Sequence, residues 1–229
     1  MQLVNQPFCT PANEPSWDDL PVVLLGSGPS VDGVALERLR GRAHVVAIKE
    51  ACRLVDFHEA TVSMDLNWPQ RPHAWDLMCR EASAKKLWLV VPPDRPNRVG
   101  RVCPGAFYLR RSHERGGLSE DPCVIHSGFC SGYSGLGFAY HRRPRVIFLF
   151  GYDYTTDLKP GGKHHAGSLN PWFSRGQAAG WGDWANHFAT AVPQLEAAGI
   201  RVVNANPGSA ITCFPKVTSE EALESICRF

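Results

Sequence analysis

The chain has no apolar run approaching the roughly 18 residues that cross a bilayer as a helix. That argues against a membrane span. It also has little net charge: a formal +2 is too small by itself to mark a nucleic-acid-binding protein. The opening Met1-Gln2-Leu3-Val4-Asn5-Gln6-Pro7 lacks a basic stretch followed by an apolar one, so no secretory signal is expected. None of the eight cysteines (9, 52, 79, 103, 123, 130, 213 and 227) is spaced two residues from another, which leaves no zinc knuckle and no redox pair. Several sit in apolar runs, as Cys123 and Cys213 do, and are expected to be reduced, mostly buried thiols of a cytoplasmic protein. There is no internal repeat and no low-complexity tract.

What is there is an ordinary globular composition, 44% apolar and 20% charged, in 229 residues, enough for one sizeable core. The whole chain, 1–229, reads as a single nucleotide-binding α/β domain. Residues 1–20 are an irregular lead-in, and 95–120 a loop-rich insertion with room for a strand at 106–109. Apolar runs predict strands at 22–25, 44–48, 60–64, 87–91, 123–126, 145–150 and 201–204. Helical patterning falls at 34–39, 73–82, 131–140 and 177–198, with a last helix opening at Ser219. Strands apolar on both faces, alternating with helices, predict a Rossmann-like, mostly parallel sheet with helices on both faces. Such sheets bind ligands beyond the carboxyl ends of their strands. That rule selects residues 26–30, 49–50, 65–68, 151–157 and 204–209.

Gly26-Ser27-Gly28-Pro29-Ser30 is the first of these places. Two glycines let a backbone bend and approach a phosphate, and Ser30 is positioned to cap the helix that follows. On this reading Gly28→Val blocks the phosphate and spares the fold. The turn is neither a Walker loop nor a full dinucleotide fingerprint, and a plain strand–helix turn has the same residues. Asp65 and Asp153 stand at strand ends, where a carboxylate holds a ribose or a Mg²⁺ ion, or merely caps a helix. Ser127-Gly128 enters a helix and offers donors to a phosphate. His164 and His165, adjacent in a glycine-rich loop, are candidates for a general base, as is His187 in the long helical stretch. Trp172, Trp181 and Trp184 would wall an acceptor pocket or fill the core.

The segment Val23 to Ser30 resembles the "GxGPSL" opening of two related groups: the 6-hydroxymethylpterin diphosphokinase-like family and the bacterial sialyltransferases that cap lipooligosaccharide. Asp65 is similar to the strand-end aspartate of the first group. Ser127-Gly128, then 135–140 and Val146 to Asp153, resemble a block of both, and Asn206-Pro207-Gly208-Ser209 with Phe214-Pro215 their C-terminal segment. The likeness runs from about residue 20 to 225 and is of the stand-alone phage or prophage type. Ser27 replaces the asparagine of the sialyltransferase turn, and Lys49 replaces an asparagine common after the second strand. Near the sialyltransferase catalytic histidine this chain offers Asp183 and His187.

The resemblance implies a nucleotide-dependent transferase. The donor, a nucleotide or nucleotide sugar, would lie on Gly26, Ser27, Gly28, Pro29 and Ser30, with Lys49 on a phosphate. Asp65, Ser127, Gly128, Gly151, Tyr152, Asp153, Tyr154, Pro207 and Ser209 would complete the binding site. A glycosyltransferase is the first expectation. A diphosphokinase, with Asp65 and Asp153 holding Mg²⁺, is the second, and a non-catalytic nucleotide-binding module the third. The acceptor would be a glycan, a small molecule or modified DNA. Arg95, Arg98, Arg101, Arg110, Arg111 and Arg115 would meet DNA phosphates in the last case, although a solvated basic loop accounts for them as well.

Overall fold

All four residues of β1 (Val22–Leu25) are buried, as are those of β3 (Ala60–Ser63), β4 (Leu87–Val91) and β7 (Val146–Phe150). Strands of this kind need cover on both faces. The remaining strands are β2 (His44–Ile48), β5 (Phe107–Ser112), β6 (Val124–His126) and β8 (Arg201–Asn204). The computed structural model describes residues 16–65, 68, 72–92, 105–112, 114, 116–155 and 181–229. It joins the eight strands in one all-parallel sheet, ordered β6-β5-β4-β3-β2-β1-β7-β8. The strand given room at 106–109 in the 95–120 stretch is β5, which runs on to Ser112.

Alternation along β1 divides the core in two. Val23 and Leu25 share one side with Leu77 and Met78 of α1 (Pro72–Ser83) and Leu223 and Ile226 of α5 (Ser219–Cys227). Val22 and Leu24 share the other with Leu136 and Phe138 of α2 (Ser131–Tyr140), with Phe188, and with Leu195 of α4 (Val192–Ala197). Each such side chain contributes about 1.5–3 kcal/mol of burial. Helix α5 begins at a capping box, in which Thr218 Oγ1 accepts from the Glu221 backbone and Glu221 bonds back to the Thr218 N–H.

Two helical expectations are corrected. Residues 34–39 form only a 3₁₀ turn, Leu36–Leu39. The stretch expected to be one helix to residue 198 is broken into α3 (Trp181–His187), a 3₁₀ turn at Phe188–Ala191, and α4; residues 177–180 lie outside the described ones. Pro193 is the reason: it has no N–H to continue the ladder and is tolerated only in the first turn of a new helix. Six cysteines are described, all free: Cys52 and Cys130 are buried and the other four half-buried. No helix among the described residues is long and apolar enough to cross a membrane.

The strand order has one reversal. From β1 the chain steps outward through β2 to β6, then returns to place β7 on the opposite side of β1. Parallel sheets bind ligands beyond the carboxyl ends of the strands at such a reversal.

Candidate functional site

The two loops at the reversal cross in backbone contact. The Gly26 N–H donates to the Phe150 carbonyl at 2.7 Å and the Gly28 N–H to the Gly151 carbonyl at 3.0 Å. A Cβ on Gly26 would stand 2.5 Å from the Gly151 oxygen, and one on Gly151, whose φ is 69°, would stand 2.6 Å from the Gly26 oxygen. A Cβ on Gly28 would fall 1.7 Å from Asp153 Oδ2. The glycines are thus required by the chain's own crossing. This revises the expectation that Gly28→Val would spare the fold, because the added side chain meets Asp153 before it meets any ligand.

Asp153 ties three loops together. Its Oδ2 accepts from Ser30 Oγ at 2.9 Å, its Oδ1 from Asn206 Nδ2 at 2.7 Å, and its carbonyl from the Ala210 N–H at 2.8 Å. Burial pushes the carboxyl above its ordinary range, against the hydrogen bonds from Ser30 and Asn206 that favour its ionised form. Ser209 donates to the Tyr152 carbonyl at 2.6 Å, and Pro207 beside it is exposed. Asn206 also accepts from the Gly208 N–H, closing the turn after β8. It joins the candidate residues from outside those named by the sequence, although it lies within the strand end that the parallel-sheet rule selects.

A second group lies at β2 and β3. Lys49 Nζ bonds Asp65 Oδ2 at 3.0 Å, with about a fifth to a quarter of each side chain exposed. Next to Asp65, the Met64 N–H donates to Ser131 Oγ in the first turn of α2.

The start of α2 connects these groups. Cys130 Sγ lies 3.1 Å from Tyr154 Oη, and Tyr152 Oη donates to the Gly132 carbonyl at 3.2 Å. Burial raises both phenols and the Cys130 thiol. Small residues permit this approach: a Cβ on Gly132 would stand 2.3 Å from Tyr154 Oη, and one on Gly135 2.4 Å from the Ile48 side chain. Ser127 accepts through its carbonyl from Cys130 N–H, and Gly128, at φ 48°, packs against the Tyr133 ring. His187 packs against Phe129 and Tyr133, at 5.1 Å from each ring. His164, His165, Trp172, Arg95, Arg98, Arg101 and Arg115 lie outside the described residues. Arg110 is ion-paired with Asp121 at 2.9 Å.

The same edge carries costs the fold does not need. Three non-glycine residues with left-handed backbones follow β2, β6 and β7: Lys49 (φ 54°), Phe129 (φ 65°) and Tyr154 (φ 51°). Lys85 and Arg143, the others among the described residues, follow the ends of α1 and α2, where such caps are ordinary. At the end of β8 the Asn204 carboxamide is fully buried, and neither of its polar atoms has a partner.

No family model, no curated protein and no solved structure significantly matches this chain. The fold is Rossmann-like in its all-parallel sheet with helices packed on it.

Proposed function

We propose that this chain is a nucleotide-dependent transferase whose donor lies beyond the carboxyl ends of β1 and β7. The observation that carries the reading is the convergence there of the loops after β1, β7 and β8 with the first turn of α2. Parallel sheets place ligands at such reversals. The left-handed residues and the unpartnered Asn204 support it, since backbone strain of about 1–3 kcal/mol per residue gathers where a ligand is held, and an unpaired buried amide costs about as much.

Glycosyl transfer from a nucleotide sugar is the favoured form, in keeping with the sialyltransferase resemblance. The bond from the anomeric carbon to the donor phosphate breaks, and the nucleotide leaves with its electron pair. The acceptor hydroxyl bonds to that carbon and gives its proton to a histidine: His164, His165 or His187. The diphosphokinase form calls for ionised carboxylates open to Mg²⁺. Asp153 does not fit that task, since both its oxygens are engaged by Ser30 and Asn206 and burial favours its neutral form. Asp65 is already paired with Lys49. Among the described residues no group of three or more His, Cys, Asp or Glu is placed to hold a metal ion.

The test is a melting series with nucleotides and nucleotide sugars, run with and without a chelator. A ligand at ~100 times its Kd adds about 2.7 kcal/mol of stability, and the shift is expected to survive chelation. If none of these ligands moves the Tm, the chain does not bind nucleotides. Once a donor is known, the pair His164→Ala, His165→Ala is expected to lower turnover ~10²–10⁴-fold with donor affinity retained. His187→Ala is the parallel measurement. Saturable binding without turnover in wild type would leave the binding-module reading.

A further inference from the structure

His44 opens β2 and stands at the amino edge of the sheet, opposite the candidate site. Two carboxylates grip its ring. Nδ1 lies 2.7 Å from Glu59 Oε1, one residue before β3, and Nε2 lies 2.9 Å from Asp19 Oδ1 in the lead-in. An ionised carboxylate only accepts, so both ring nitrogens donate, and an imidazole with two N–H groups is a cation. The ring is also stacked on Trp17, with centroids 4.8 Å apart and planes 10° from parallel. The Arg142 guanidinium lies 5.0 Å from the same indole. The Trp17 N–H donates to the Arg142 carbonyl at 2.8 Å, just past the end of α2, and Ser16 Oγ donates to the same oxygen. Residues 16–20 are thus bonded to the end of α2 through uncharged groups, and to β2 through one ring whose charge is set by protons.

The charged groups that face the ring are Asp19 from the lead-in, Glu59 from the approach to β3 and, across the indole, Arg142. Burial disfavours the imidazole's charge, but the bonds to Glu59 and Asp19 outweigh it and raise the ring above its ordinary value of 6.5. The Asp19 carboxyl is lowered, chiefly by its bond to His44. A lysine would hold two carboxylates throughout the neutral range; a histidine holds them only while protonated. We propose that His44 is a proton-operated latch on the lead-in, closed while both ring nitrogens carry protons and opened at Asp19 when the Nε2 proton passes to water. Nε2 gives way first because its bond is the longer and Asp19 is the more exposed carboxylate, 67% against 43% for Glu59. The neutral ring keeps its Nδ1 proton and its bond to Glu59, while Nε2 turns a lone pair on Asp19. Because the folded ring is raised, the latch is fully closed below about 6.5 and is lost as pH rises through the folded value. The latch does not rest on the nucleotide reading.

The experiment follows two signals in the full chain across pH: nitrogen NMR of the His44 ring, and hydrogen exchange of the Trp17 amide, corrected for its intrinsic rate. Both ring nitrogens are expected to read as imidazolium in mild acid, with Nε2 deprotonating at a midpoint above 6.5. Protection of the Trp17 amide is expected to fall about 2- to 5-fold across that midpoint, the scale of a solvent-exposed ion pair. His44→Phe keeps a ring to stack on Trp17 and has no nitrogen. It is expected to show the lower protection at every pH, with no step. Asp19→Asn is expected to lower the His44 midpoint and shrink the step. A midpoint at or below 6.5 in wild type would overturn the latch, as would Trp17 protection unchanged across the midpoint, or a step that persists in His44→Phe. Should His44→Phe fail to fold, an Asp19→Asn variant with the wild-type midpoint and step would overturn it.

Discussion

Gly26→Ala is expected to cost about 1–3 kcal/mol of stability or more, an unusually large effect for adding one methyl group. The methyl would stand 2.5 Å from the Gly151 carbonyl oxygen, and that oxygen belongs to backbone hydrogen-bonded to Gly28. Backbone atoms in a crossing of this kind have no rotamer to change, so β1 and β7 must separate at their carboxyl ends. The urea midpoint is expected to fall, and nucleotide affinity to fall with it. Gly151→Ala is expected to be at least as damaging, because it adds a left-handed alanine to the same clash. A Gly26→Ala midpoint equal to wild type would mean that the two loops do not touch.

Glu81→Ala is expected to cost about 1–3 kcal/mol for each buried hydrogen-bonding group it leaves unsatisfied. Glu81, His58 and Thr61 are all buried. His58 bonds one ring nitrogen to the Val55 carbonyl and the other to Glu81, and Thr61 Oγ1 donates to the same carboxylate oxygen at 2.9 Å. Without the carboxylate, the threonine hydroxyl and the imidazole are both left unsatisfied between α1 and the sheet. Burial alone would raise the Glu81 carboxyl, but the hydrogen bonds and charge of its neighbours outweigh burial and hold it below the ordinary range. A carboxyl lowered in the folded state stabilises above its unfolded pKa of about 4.3, and that contribution is lost as pH falls through the folded value. Stability of the wild type is therefore expected to decline in acid. Glu81→Gln, which keeps an acceptor and has no charge to titrate, is expected to flatten that decline. Urea midpoints across pH would measure both effects, and an alanine variant within ~0.5 kcal/mol of wild type would reject the pair as a stabilising element.

β1, β4 and β7 were legible because each is an unbroken apolar run: Val22-Val23-Leu24-Leu25 and Val146 to Phe150 allow little else. Their neighbours were not. Nothing local in β1 shows that its second partner is β7, and the meaning of Gly26 and Gly28 depends on that pairing. A glycine beside a phosphate and a glycine beside another strand's carbonyl are the same letter in the sequence. Pro193 was a visible signal whose helix-breaking effect outweighed the apolar periodicity around it. The His58–Glu81 pair was hidden because its members lie 23 positions apart and meet only when α1 packs on the sheet. Asp65, Asp153 and Ser30 could be singled out as candidates from their places near strand ends, but the bond between Ser30 and Asp153 could not be read, because the two lie 123 positions apart.

The pairing of Val22 with Ile147 has a consequence for how the protein is made. As the ribosome delivers the chain, β1 to β6 can assemble in sequence order, each strand joining its predecessor. The flank of β1 that receives β7 then stays open while more than a hundred further residues are synthesised. An apolar strand with a bare row of amides and carbonyls is a template for pairing with other chains, and contacts so distant in sequence form slowly. The centre of the finished sheet is, during biogenesis, its last unprotected margin. Conditions that slow elongation between α2 and β7 lengthen the interval in which this margin recruits a neighbouring nascent chain.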